Sequence, residues 1–201
     1  MSLLGKKINL ATLLGALVIF FLPWLDMQCN GNSMVTQTGF QSVHGGGTLS
    51  EEMENLAGMG GNKDSAQKDS AKAFSEDDRP SPAWLAAGAL LLIGFALILA
   101  VRGVMNAQAN DLSAIALLAT MALGFVALQL LLGFPLETTA RQALAEAQNS
   151  DAGKNNPFAG LGAAMVRIQV IRQPVIWAEL ALLAVPGLLW INDAINRRNR
   201  N

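Results

Sequence analysis

The chain has 201 residues, of which 52% are hydrophobic and only 14% charged, with a formal net charge of −1. A soluble domain usually carries about 25% charged residues. The composition therefore excludes an ordinary soluble domain and points to a membrane protein.

The apolar residues are gathered in blocks and not spread at helical or strand period. A bilayer core needs roughly 20 apolar residues per helix, and four blocks approach that length. The first, Ile8 to Leu25, holds no charge; the second, Ala83 to Val101, ends at Arg102. The third, Leu112 to Gly133, has Gln129 as its one strongly polar residue. The fourth, Val175 to Ile191, holds Glu179 and Pro186 and is the weakest, so a re-entrant or peripheral segment stays open as its alternative. The first block is longer than the apolar core of a signal peptide and lacks an A-x-A-like cleavage site. Leu25-Asp26-Met27-Gln28 before Cys29 are not the small residues a lipid-modifying peptidase needs. The block reads as a retained helix.

The short segments next to these blocks carry Lys6, Lys7, Arg102, Arg197, Arg198 and Arg200. The two long loops are sparser in bases, so the positive-inside rule puts them outside and both termini inside. The expected fold class is an all-α transmembrane protein: a four-helix membrane bundle with cytoplasmic N and C termini and two long extracytoplasmic loops. In chain order, residues 1–25 are the N-terminus and first transmembrane helix, and 26–82 the first outer loop. Residues 83–103 are the second helix, 104–111 a short inner turn and 112–133 the third helix. Residues 134–174 form the second outer loop, 175–192 the fourth helix and 193–201 a basic tail. Trp24, Trp84 and Trp177 fall at the outer ends of blocks and Trp190 at an inner end, the belt expected of rings that anchor at headgroups.

Within the first loop, Asn30-Gly31 is a tight-turn signal because both residues tolerate positive φ. It predicts a hairpin between residues 27 and 43. Residues 44–82 are rich in Gly, Ser and acids and read as a flexible tether, with a short helix at Ser50 to Leu56 where Ser50 can cap. In the second loop, Leu136 to Gln148 predicts an amphipathic helix. Val166-Arg167-Ile168-Gln169-Val170 alternates at period two and predicts a strand, with a helix over Leu161 to Gln173 as the open alternative.

If both loops contribute strands to one small sheet, the architecture resembles that of the claudin type, whose first loop carries a Trp and two cysteines; Trp24, at the end of the first block, and Cys29 are the residues here that answer to that pattern. The sequence departs from that family's pattern, having one cysteine where the family has two and no Gly-Leu-Trp. The resemblance is therefore one of arrangement.

Small residues recur four apart at Ala11 and Gly15, at Ala96 and Ala100, and at Ala116, Thr120 and Gly124, predicting helix–helix seams. Leu128, Leu131 and Leu132 are expected to face lipid or partners.

Glu179 is the residue most in need of explanation, since an acid within a span is costly and a functional candidate by default. It lies close enough to the outer end to snorkel toward headgroups. Gln129, at comparable depth, and Arg172, just outside the fourth block, are its expected partners in a polar site. Cys29 is the only cysteine; it has no intrachain partner, and an intermolecular disulfide is the sharp alternative to a free thiol. His44 is the only histidine, and no spacing supports a metal site. No phosphate-cradling or nucleophile-elbow motif is present. Arg197-Arg198-Asn199-Arg200 reads as an orientation signal meeting anionic lipid, not as a nucleic-acid patch.

These residues lead to an expectation of a non-catalytic subunit or scaffold of a larger membrane complex, without cofactor or metal. Its expected partners are membrane lipids and other subunits, or further copies of itself; nucleic acid is not among them. The absence of tyrosine and the lone cysteine fit a bacterial inner membrane. The alternative is a small transporter or channel component using Glu179 as a polar or proton site.

Overall fold

Pro23 divides the first apolar block into two kinds of structure. Helix α1 covers Leu3–Ile19, a turn follows, and strand β1 runs Pro23–Cys29. The block was expected to stay helical to Leu25. Proline has no N–H to donate and disfavours helical geometry in the residue before it, so the helix has to stop short of it. In a computed structural model, the described residues are 3–50, 81–106, 111–139 and 168–199. They continue with β2 (Asn32–Thr38), α2 (Gly39–His44), β3 (Thr48–Leu49), α3 (Trp84–Met105), α4 (Leu112–Leu132), β4 (Ile168–Arg172) and α5 (Val175–Arg198). The chain is mostly helical, and it divides into a helical unit and a sheet unit.

In the helical unit, α3 packs on α1 and α4, and α5 packs on the same two helices. Three stretches are long and apolar enough to cross a membrane: Trp84–Met105, Leu112–Thr139 and Val175–Arg198. The fourth apolar block, the weakest by sequence, forms the longest of the four helices. It runs through Pro186 as far as Arg198, where Arg197 pairs with Asp193 one turn back at 2.7 Å. Helix α1 has 17 residues, about 25 Å at 1.5 Å per residue.

Small side chains set the seams. Leu13, Ala96, Ala100, Ile115 and Ala119 form a buried cluster, flanked by Leu10, Leu97, Leu99 and Leu118. Lipid offers helices no hydrophobic reason to associate, so close backbone approach carries the contact. A Cβ on Gly88 would lie 2.7 Å from two ring carbons of Phe125, one on Gly15 3.0 Å from Leu182, and one on Gly187 3.3 Å from the Thr120 hydroxyl. The α3 seam at Ala96 and Ala100 matches the sequence reading. In α1 the seam expected at Ala11 and Gly15 holds at Gly15, while Ala11 is exposed and the buried line is Asn9, Leu13 and Ala16, continued by Phe20 just past the helix end; Gly124 of α4 faces open space. A four-residue spacing puts small residues on one face but cannot say which face is buried. Leu91, Phe95 and Ile98 of α3, and Leu128, Leu131 and Leu132 near the end of α4, are exposed.

The sheet unit holds a four-stranded antiparallel sheet in the order β3-β2-β1-β4. Asn30 and Gly31 connect β1 to β2 with φ of 52° and 90°, both positive as a tight hairpin turn requires. Helix α2 opens with a capping box. The Thr38 hydroxyl accepts from the Gln41 N–H, and the Gln41 side chain accepts from the Thr38 N–H. It closes at Gly45 with φ 68°, the left-handed conformation in which glycine is least strained. Strand β4 comes from the second loop and pairs with β1 from Leu25↔Arg172 to Cys29↔Ile168. The two loops therefore share one sheet, and residues 168–172 are strand and not helix, as their β-branched content favours. Residues 135–139 form a helical turn. The rest of the helix expected to Gln148, the helix expected at Ser50 to Leu56 and most of the expected tether at 44–82 lie outside the described residues.

Candidate functional site

Helix α5 buries Ile176, Glu179, Leu183 and Pro186, spaced by three, four and three residues, which is one helical face. Glu179 is thus on the packed face, and its exposure is 0%. The snorkelling expected of it does not occur. Neither carboxylate oxygen has a hydrogen-bond partner among the described residues. Buried polar groups are nearly always paired, so an orphaned carboxyl is the strongest anomaly in the helical unit.

Gln129 of α4 is also buried. The contact between Gly187 and Thr120 sets the antiparallel register of α5 on α4. Gln129 is nine residues beyond Thr120 and Glu179 eight before Gly187. At 1.5 Å per residue the two lie at nearly the same depth. No hydrogen bond joins them, however, since both Glu179 oxygens are unpartnered.

Arg172, the other expected partner of Glu179, is engaged in the sheet unit. Its Nε donates to Glu137 Oε1 at 2.9 Å and its Nη2 to Oε2 at 3.1 Å. This two-pronged geometry is the strong form of an Arg–carboxylate pair, and the hydrogen bond that Arg172 donates to Glu137 raises the Arg172 pKa. Glu137 was missed by sequence reasoning. An acid just after Pro135 reads only as a helix-start acid, and nothing in a 35-residue separation announces the pairing. Gly133 contributes: its φ is +86°, and a Cβ there would sit 3.1 Å from Glu137 Oε2.

Asp26 accepts from Gln28 Nε2 at 2.7 Å and Ser33 Oγ at 2.6 Å. Cys29 ends β1, in register with Asn32 and Ile168. The His44 ring lies against Phe40, with Nδ1 at 3.2 Å from the Phe40 carbonyl. Among the described residues no three His, Cys, Asp or Glu side chains gather as a metal site would require.

The four tryptophans divide by structure. Trp84 (77% exposed), Trp177 (63%) and Trp190 (45%) stand on the outside of the long helices, whereas Trp24 is fully buried. Trp24 meets Phe134 edge-to-face at 6.0 Å, and its carbonyl accepts from the Gln173 N–H at 2.8 Å. Expected as a headgroup anchor at a helix end, Trp24 is instead a core residue in β1. Because Pro23 ends the helix first, its ring is carried into the sheet unit.

No protein-family model, curated protein or solved structure matches the chain. The three long apolar helices mark it as an integral membrane protein that also carries a small antiparallel sheet.

Proposed function

We propose that the protein is a non-catalytic subunit or scaffold of a larger membrane complex. In this reading α1, α3, α4 and α5 span a bacterial inner membrane with both termini cytoplasmic, and the sheet is presented outside to partners. One observation carries it: the two long inter-helix loops are joined as neighbouring strands, β4 on β1. Plain connectors have no need of a shared sheet, and long loops with order of their own are usually functional. Two acids of the sheet unit are engaged in holding it, Asp26 bonded to Gln28 and Ser33 and Glu137 to Arg172. The cytoplasmic assignment is supported by Lys6, Lys7, Arg102, Arg197 and Arg198 at the helix ends.

The test is native mass spectrometry after mild-detergent extraction from the source membrane, with and without reductant. Co-extracted proteins at fixed stoichiometry are expected. A lone monomer whose loops can be deleted without phenotype refutes the proposal. A dimer lost on reduction identifies Cys29 as a bridge between copies, as self-association through that residue requires.

A second reading, a transporter or channel component, is favoured by Glu179, which is buried and has no hydrogen-bond partner among the described residues. Such a residue is a functional candidate in a span. Its test is ion flux in proteoliposomes, where unchanged flux in Glu179→Gln removes it.

A further inference from the structure

One end of the helical unit gathers both charge and a cleft. The cluster that joins Leu13 to Ala96, Ala100, Ile115 and Ala119 brings the start of α1, the end of α3 and the start of α4 to the same end. The contact between Gly187 and Thr120 adds the last turns of α5. The described charges there are Lys6, Lys7, Arg102, Arg197 and Arg198 against Asp111 and Asp193. Between α4 and α5 opens a cleft of about 120 Å³, lined by Leu112, Ser113, Trp190, Asp193, Ala194 and Arg197.

We propose that this cleft seats the phosphate of an anionic phospholipid; the assignment rests on the membrane-spanning reading above. Its depth fits. Leu112 is the first residue of α4, where the apolar stretch begins, so the cleft lies at the boundary between hydrocarbon and headgroups. Its chemistry fits as well. Asp193 Oδ2 holds Arg197 Nη2 at 2.7 Å, which neutralises the acid and steadies the guanidinium. A guanidinium has five N–H donors, so donors remain for phosphate oxygens, which arginine binds in a fork. Ser113 is exposed beside it and offers a hydroxyl. The half-exposed Trp190 provides an apolar wall with a polar edge, suited to the interface. The cleft has room for a headgroup phosphate and not for acyl chains. Those would run along the exposed Leu117, Leu188 and Ile191 of the same two helices.

The full chain in mild detergent is titrated with phosphatidylglycerol and with phosphatidylcholine of the same acyl chains, and bound lipid is counted by native mass spectrometry. One phosphatidylglycerol is expected to bind about tenfold more tightly than phosphatidylcholine, a difference of about 1.4 kcal/mol. Arg197→Gln should remove most of that preference and Arg197→Lys should restore part of it, while Arg198→Gln, outside the cleft, should change it less than about twofold. Ser113→Ala is a second, milder variant should Arg197→Gln not fold. No preference in the wild type, or equal losses in the Arg197 and Arg198 variants, overturns the proposal. Displacement of the lipid by an equal concentration of inorganic phosphate also overturns it, and identifies a free-phosphate site. Retention of the chain in alkali-washed membranes tests the spanning reading separately.

Discussion

Arg172, the last residue of β4, holds Glu137 in a two-pronged grip at 2.9 and 3.1 Å, tying two parts of the second loop together 35 residues apart. The Glu137 side chain is only 10% exposed and that of Arg172 40%. The pair is thus intermediate between a surface ion pair, worth little, and a buried one whose breakage leaves a costly orphan.

Arg172→Gln is therefore expected to destabilise the sheet unit by about 1–2 kcal/mol, and Arg172→Lys by less, since the charge remains and the fork is lost. Hydrogen exchange at the β4 amides reads the effect, and unchanged protection in Arg172→Gln would show the pair to be ornamental. The raised pKa of Arg172 sets the sign of the pH dependence. Its contribution is complete below the unfolded pKa and is lost only as pH rises through the folded one. Both lie far above the neutral range, because a guanidinium stays protonated in ordinary buffers, so protection should be flat from neutral to mildly alkaline pH.

Trp24 and Trp84 should respond very differently to truncation. Trp24→Ala removes a fully buried ring packed on Phe134 and should cost about 3–5 kcal/mol. Trp84→Ala removes a ring 77% exposed and should leave the fold within about 0.5 kcal/mol. Thermal unfolding in detergent makes the comparison. Equal losses would mean that Trp84 has a packing partner.

Gly88→Ala puts a methyl group 2.7 Å from the Phe125 ring. The ring or the helix has to shift, at about 1–3 kcal/mol. Phe125→Leu should recover part of the loss in the double variant. Losses that simply add would place the strain elsewhere.

Glu179→Leu deletes a fully buried carboxyl that has no hydrogen bond among the described residues and should leave thermal stability unchanged or raise it by about 1 kcal/mol or more. A clear loss of stability would reveal a partner for the carboxyl. Glu179→Gln keeps the shape, so stability and flux measured together in that variant separate packing from transport.

Long unbroken apolar blocks determined the class of this protein without any structure. The bilayer demands about 20 apolar residues per crossing, and that demand is local and countable. The hairpin at Asn30-Gly31 was equally legible, because positive φ is a property of those two residues. Strand character at Ile168 to Val170 was present in the alternation, though a helix remained open until β1 supplied a partner. Pro23 is legible as a helix breaker, but the hydropathy of the run around it masks the break. Only the tertiary structure decided that Trp24 is core, that Arg172 serves Glu137 and not Glu179, and that Glu179 is enclosed with no hydrogen bond among the described residues. Burial and pairing depend on which segments meet in space, and residues 35 apart carry no local mark of the partner they will find. What periodicity and hydropathy record is each segment's demand on its surroundings; which neighbour answers it is decided by packing.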